Sequence, residues 1–238
     1  MKKITWLVSY PRSGNTWLRF LLANILYPDE DMNYKSLDRL IPDIREEKQW
    51  EKLGVKDPSI IKSHDVWRDE YADGKVIYMY RDVRDLALSY YYFSQGEWDI
   101  GFKGSFDEYL EKRFVPGTWY GRWDEHIVFW FNLVKGVDLL YVKYEQLWQY
   151  PYEEVKRIIE FLGIKIKYAT DIQVAVNKSA FGELKKIRAR DGVHLKKMGL
   201  KGRPGGWKKN LTEEQKELIW KEFGRIMERL GYKKGEEK

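Results

Sequence analysis

At 238 residues, with 43% hydrophobic and 16% aromatic side chains, the chain is long enough for the core of one α/β domain and too apolar to be disordered. It holds no cysteine, which excludes a disulfide framework, thiolate catalysis and cysteine-bound zinc and fits a cytoplasmic protein; no apolar run reaches membrane-spanning length. A net charge of +6 favours anionic ligands, nucleotide or nucleic acid alike, without choosing between them.

The N-terminus starts with lysines like a signal peptide, but Pro11 and Arg12 cut its apolar run short and no small-residue cleavage site follows. Residues 4–9 (ITWLVS) therefore read as the first core strand. Residues 10–16 (YPRSGNT) lead from it into a segment with Trp17, Leu18, Leu21, Leu22, Ile25 and Leu26 at helical spacing, giving strand, tight loop and helix. Such a loop leaves backbone N–H groups free at a helix N-terminus with the positive end of the helix dipole behind them, a natural seat for phosphate or sulfate. Gly14 lets the backbone approach the anion, Arg12 adds a permanent charge, and Ser13 and Thr16 can donate hydroxyl hydrogen bonds. The nucleotide pattern GxxxxGK[ST] would need glycine at Ser9 and lysine at Asn15, so only Gly14 and Thr16 fit it. Without that lysine, and with no established magnesium ligand, work on a triphosphate would lack its main charge neutralisers.

Residues 28–59 are polar and mixed in charge, and read as loops with one or two short helices that could form part of a lid. SIIKSHDVW offers a short buried strand at Ile60 and Ile61 ending in Lys62, Ser63 and His64. After the turn signal Asp73-Gly74, residues 75–80 (KVIYMY) are a β-rich run followed at once by Arg81, Asp82 and a helix (VRDLALSYYYF). Residues 106–134 read as two helices broken at Val115-Pro116-Gly117, residues 138–143 (DLLYVK) as the last clear strand, and residues 151–162 as a helix stopped by Gly163. Residues 188–210 carry eight basic side chains against Asp191 alone, punctuated by Gly199, Gly202, Gly205 and Gly206, and read as a mobile basic loop. In isolation a solvated charged loop is its first reading and a nucleic-acid patch the second. Thr212-Glu213-Glu214-Gln215 is a capping box that opens the final helix. Strands alternating with helices predict a parallel sheet, in which the ligand crevice lies beyond the carboxyl ends of the strands. Residues 12–16, residues 62–64 and Arg81 converge there.

YPRSGNTW resembles the loop TYPKSGTTW with which sulfotransferases bind the 5′-phosphosulfate of 3′-phosphoadenosine 5′-phosphosulfate (PAPS). YRDVRDLALSYYYF resembles the same family's 3′-phosphate segment RNPKDVAVSYYHF, with Arg81 and Ser89 on its two phosphate ligands. GLKGRPGGWKKNLT is similar to the family's RKGxxGDWKNxFT, matching it at Lys201 and Gly202; Leu200 stands for its arginine and Gly206 for its aspartate, with Arg203 as a replacement cation. Residues 177–181 (NKSAF) fit its TSF element, with Ser179 for a phosphate or ribose contact and Phe181 near the adenine. Trp17 would stack on the adenine, and Tyr144 joins the cofactor-binding set with Arg12, Ser13, Gly14, Asn15 and Thr16. KSHD resembles KTHLP, in which the histidine is the catalytic base, here His64. The resemblance spans residues 6–211 and implies an α/β fold, with a P-loop-like parallel sheet of four to five strands flanked by helices on both faces, as one domain over residues 1–238.

It also implies sulfuryl transfer from PAPS to a hydroxyl acceptor, a phenol or alcohol. His64 would take the acceptor's proton, while Lys62 and Arg12 hold the sulfuryl group and the bridging oxygen. A sulfuryl group carries less charge than a phosphoryl, so ammonium and guanidinium suffice and no metal need be invoked. Taken alone, His64 is equally a structural or a functional histidine; His126, in an aromatic helix, reads as structural and His194, in the basic loop, as solvated. Phe93 matches a position lining the family's acceptor pocket, and Trp67, Trp98, Trp119, Tyr120 and Trp123 belong either to that pocket or to the core. The family's long segment before the first strand, which helps wall the acceptor site, is not seen ahead of Tyr10. Glu213 stands where the family's dimer contact KxxxTVxxxE has an apolar residue, which points to a monomer or weak homodimer. The expected partner is a small molecule, with neither nucleic acid nor membrane. A P-loop-like kinase or NTPase and a non-catalytic nucleic-acid binder are the competing readings.

Overall fold

The computed structural model describes residues 4–56, 59–96, 101–166, 168, 170–192 and 202–235. Strands β1 (Thr5–Ser9), β2 (Ile60–Ser63), β3 (Lys75–Tyr80) and β4 (Asp138–Lys143) form one parallel sheet in the order β2-β1-β3-β4. Thr5 lies opposite both Ile60 and Lys75, and Lys75 opposite Asp138, so all four carboxyl ends meet along one edge. Chain order reverses across β1, and the crevice at such a switch point is where open parallel sheets bind ligands.

Alternation along the central strands sorts the core onto two faces. Trp6, Val8, Val76 and Tyr78 enter one apolar cluster; Leu7, Ile77 and Met79 enter the other. On the second face the sheet is covered by α1 (Asn15–Leu26) and α2 (Tyr34–Leu40), while Trp50 of the four-residue α3 (Trp50–Leu53) packs against the first-face cluster. The first face is covered by α4 (Val83–Ser94), α5 (Phe106–Tyr109) and α6 (Trp123–Val128). After β4 come α7 (Tyr144–Gln149), α8 (Pro151–Leu162), α9 (Thr170–Lys178) and α10 (Phe181–Arg190) on the second face. The short α11 (Trp207–Asn210) and the long α12 (Glu213–Arg229) return to the first.

Residues 28–59 hold more helix than expected: besides α2 and α3, a 3₁₀ stretch runs from Ile44 to Gln49, capped by the Asp43 carboxylate. The expected break at 115–117 is present, and α5 and α6 each pass into a π-helical turn, Leu110–Phe114 and Phe129–Leu133. Helices α7, α9 and α10 are additions to the sequence reading. Arg188 and Arg190, read as the start of a mobile loop, instead end α10. The Thr212 box closes as expected, its hydroxyl accepting from Gln215 N while the Gln215 side chain accepts from Thr212 N. Most of the basic loop, including His194, Leu200 and Lys201, lies outside the described residues, as does Trp98.

Candidate active site

Beyond Ser9 the chain turns through Arg12 (φ 70°) and Gly14 (φ 106°), two left-handed residues on either side of Ser13. Backbone of this alternating kind turns successive N–H groups toward one point and suits an anion. No side chain caps α1 and its first turn holds no acidic residue, which leaves its leading amides and dipole open. Ser13 is fully buried and its Oγ has no hydrogen-bond partner. A buried donor left without a partner costs free energy, and an anion in the loop relieves it. Asn15 contributes differently from the expectation. Its amide nitrogen donates to Leu7 O at 3.1 Å and to Ser9 Oγ at 3.2 Å, so the side chain pins the loop to β1 and only its backbone N–H remains for a ligand.

A second cluster of cations stands beside the loop. Arg12 Nε donates to Ser89 Oγ at 3.2 Å, and its guanidinium lies over the Phe93 ring at 4.7 Å. Burial, with Arg81 and Arg188 nearby, pushes the Arg12 guanidinium down to about 10. Arg81, 4% exposed, lies over the Tyr144 ring at 4.2 Å and reaches Arg12 O at 3.5 Å, yet its Nε and Nη2 donate to nothing. Asp85 is 3.9 Å from Arg81 Nη2, but its oxygens accept closer bonds from Gly205 N (2.7 Å) and Trp207 N (2.8 Å). Asp82, next in the chain to Arg81, is taken by Arg84. The Arg81 guanidinium is thus a charged group without a tight counter-ion, in a place where one is needed.

His64 sits at the end of β2, 7% exposed, with Nδ1 2.7 Å from Ser9 O. A carbonyl can only accept, so Nδ1 carries the proton and Nε2 is left as the base. Burial, and then the Lys62 charge, holds the imidazole well below its usual value, so it is neutral at pH 7. His126 is buried with both ring nitrogens engaged, Nδ1 with Tyr78 OH (2.7 Å) and Nε2 with His64 O (3.3 Å), as befits a structural histidine. Lys62 does not stand alone: its Nζ is 2.5 Å from Asp43 Oδ2, a partner that the sequence reading missed.

The residues expected beside the adenine form a box. Trp17 packs on Phe181 (5.0 Å between ring centroids) and edge-on to Tyr144 (5.7 Å), while its Nε1 donates to Ser179 O at 3.0 Å. The Tyr144 hydroxyl donates to Gly202 O. A Cβ on Gly202 would lie 2.2 Å from the Phe181 ring, so only glycine permits this approach. Ser179 is buried and its Oγ accepts from Asn24 Nδ2 at 3.0 Å, which ties it to α1. Arg203 is exposed, with its guanidinium 5.8 Å from the Trp148 ring, turned outward rather than toward Arg81. Lys201 lies outside the described residues.

Of the aromatic candidates for an acceptor pocket, Tyr120 touches the site, its ring edge-on to His64 at 5.6 Å. Trp123 is buried in the core, Trp67 packs against Tyr71 and Trp130, and Trp119 is 94% exposed. Val66, Tyr120, His126 and Phe129 line a largely apolar pocket beside the end of β2.

A family model described as "Sulfotransferase domain" matches residues 2–231. Bovine sulfotransferase 1A1 is 27% identical over 244 residues, covering 92% of this chain and 81% of that protein. Mouse sulfotransferase 1B1 is 29% identical over 234 residues, covering 89% and 78%. Among solved structures, mouse sulfotransferase SULT7A1, described as complexed with PAP, superposes with a TM-score of 0.70 over 96% of this chain and 89% of its own, at 20% identity.

Proposed function

The chain belongs to the sulfotransferase family; it is a PAPS-dependent sulfotransferase in which, we propose, His64 is the general base, Lys62 and Arg12 steady the transferring group, and Arg81 and Ser89, with Lys201 and Gly202, hold the 3′-phosphate of the nucleotide. The observation that carries this reading is the presence of two distinct anion seats. One is the left-handed turn at Arg12 and Gly14, with the unpartnered Ser13 Oγ and the uncapped start of α1; the other is the buried Arg81 guanidinium with two unpartnered nitrogens. A nucleotide phosphorylated on both its 5′ and 3′ positions needs both seats, whereas ATP uses one.

Bound PAPS supplies an activated sulfuryl group joined to a phosphate that leaves. His64 Nε2 accepts the proton of the acceptor hydroxyl as that oxygen bonds to sulfur, and Ser9 O keeps the ring in the required tautomer. Arg12 and the open amides of α1 face the negative charge that develops on the phosphate oxygen as its bond to sulfur breaks. Phe93 beneath Arg12 and Tyr120 against His64 make flat apolar walls, which favour a phenol or alcohol as acceptor. We read the protein as a cytoplasmic enzyme for small molecules, a monomer or weak homodimer that binds no nucleic acid; no described helix is long and apolar enough to cross a membrane.

Calorimetry with 3′-phosphoadenosine 5′-phosphate, AMP and ATP tests this reading. The bisphosphate should bind tightest, and Arg81→Ala should weaken it roughly 10- to 100-fold, about 1.5–3 kcal/mol for a charge-assisted contact, with AMP little changed. Tighter binding of ATP would restore the kinase reading, and binding of DNA or RNA alone would restore the nucleic-acid reading. Labelled PAPS with EDTA present, offered to phenols, alcohols and sugars, then identifies the acceptor.

A further inference from the structure

Asp43 comes from the polar stretch before β2, yet it lies within the site. Pro42 O accepts from Lys62 N at 2.8 Å, and Asp43 pairs with Lys62 in a parallel bridge that extends the sheet beside β2. The Asp43 side chain, 9% exposed, is shared by two cations. Oδ2 accepts from Lys62 Nζ at 2.5 Å and from Arg45 Nη2 at 2.7 Å, while Oδ1 accepts from Arg45 Nε at 3.2 Å and from Arg45 N at 3.0 Å. Arg45 continues the chain of contacts: its Nη1 donates to Tyr120 OH, and Tyr120 packs edge-on to His64 at 5.6 Å. A single carboxylate thereby reaches both groups that flank the reacting oxygen.

We propose that Asp43 is a positioning residue for the transfer: it fixes the Lys62 ammonium and maintains its charge, and through Arg45 it seats Tyr120 against the His64 ring. This rests on the sulfotransferase reading of the site, since the ammonium matters only if negative charge builds next to it. Two cations share one anion, so one positive charge is left uncompensated, as a site for an anionic group requires. The groups facing Lys62 are Asp43 and Arg45 from the cap and first turn of the 3₁₀ segment, Arg19 from α1, and His64 just beyond the end of β2. Burial and the charges of Arg19 and Arg45 lower its pKa, Asp43 opposes them, and the balance leaves Lys62 at about 8. Burial alone would raise the Asp43 carboxyl, but hydrogen bonds and charge from Arg45 and Lys62 outweigh it and hold the carboxyl well below the usual range, so it stays ionised throughout.

The sign follows from the chemistry of lysine. Its charge is present below its pKa and lost as pH rises, so the rate should fall on the alkaline side near pH 8 with an alcohol acceptor that does not itself titrate. Asp43→Asn removes the one group holding that pKa up, so the alkaline limb should move down by about 1–3 pH units, the usual effect of a close opposite charge, with the rate largely recovered at pH values below the displaced limb. Arg45→Met, at a side chain 47% exposed, removes a repelling cation and leaves the carboxylate, so the limb should move up. The ε-carbon signal of Lys62 in isotopically labelled protein, assigned by its loss in Lys62→Met, should follow the same two shifts. A loss of rate equal at every pH in Asp43→Asn, or limbs that do not move in either variant, would overturn the proposal while wild-type transfer from PAPS still stood. Absence of wild-type transfer to any acceptor would instead sink the reading beneath it.

Discussion

Replacing His64 with alanine should cut turnover roughly 10²–10⁴-fold while leaving affinity for 3′-phosphoadenosine 5′-phosphate near that of the wild type. The magnitude is that of a positioned base, and the structure supplies the positioning. Nδ1 is held by Ser9 O, Tyr120 braces the ring, and Nε2 is the nitrogen left for the acceptor. Because burial keeps the imidazole well below its usual pKa, the base form persists as pH falls, and the acid limb of the rate should lie clearly below pH 6.5. Steady-state rates with labelled PAPS, alongside calorimetry for the nucleotide product, separate the two effects. Near-normal turnover in His64→Ala would end the assignment, and a variant that lost nucleotide affinity as well would point to a collapsed loop rather than a missing base.

Gly14→Ala should be a damaging single-methyl change in the anion loop. Gly14 has φ 106°, and a Cβ there would lie 2.5 Å from Tyr144 Cδ2 and 2.9 Å from Met79 Cε. The backbone costs about 1–2 kcal/mol for a residue with a Cβ, and overpacking against a ring in a filled core costs about 1–3 kcal/mol more. Tyr144 cannot step aside freely, since it lies under Arg81 and bonds Gly202 O. The expected result is a nucleotide affinity reduced by roughly 30-fold or more, for about 2–5 kcal/mol in all, accompanied by a lower melting temperature. Unchanged calorimetric affinity would show that the loop does not approach the anion as closely as its geometry indicates.

Much of this was legible in the sequence because the informative signals are local. β1, β3 and β4 are apolar runs next to turn signals, and α8 carries its apolar stripe from Pro151 to a glycine at φ 70°. The four strand ends then place the loop, His64 and Arg81 on one edge. Helices α9 and α10 were not legible, since they bury only Ile172, Ala175 and Leu184 and so show little stripe. For Asn15, expected among the cofactor-binding residues as part of the loop, the sequence did not show that its short side-chain amide reaches back to Leu7 O. Asp43 was invisible because its meaning depends on a bridge to Lys62, 19 residues away, and no local pattern encodes that pairing. Asp85 was no more legible in its role, since it anchors the turn at Gly205 and Trp207, some 120 residues away.

The crowding of Arg12 with Arg81 and Arg188 has a practical side in the choice of buffer. A cleft in which like charges are forced together gains whenever any small oxyanion enters, so inorganic sulfate or phosphate should act as a thermal protectant and, at the same concentrations, as a competitor of the nucleotide. A ligand at a hundred times its dissociation constant adds about 2.7 kcal/mol to the folded state. Protein prepared in phosphate should therefore melt later and work more slowly than the same protein in a buffer of amines and chloride.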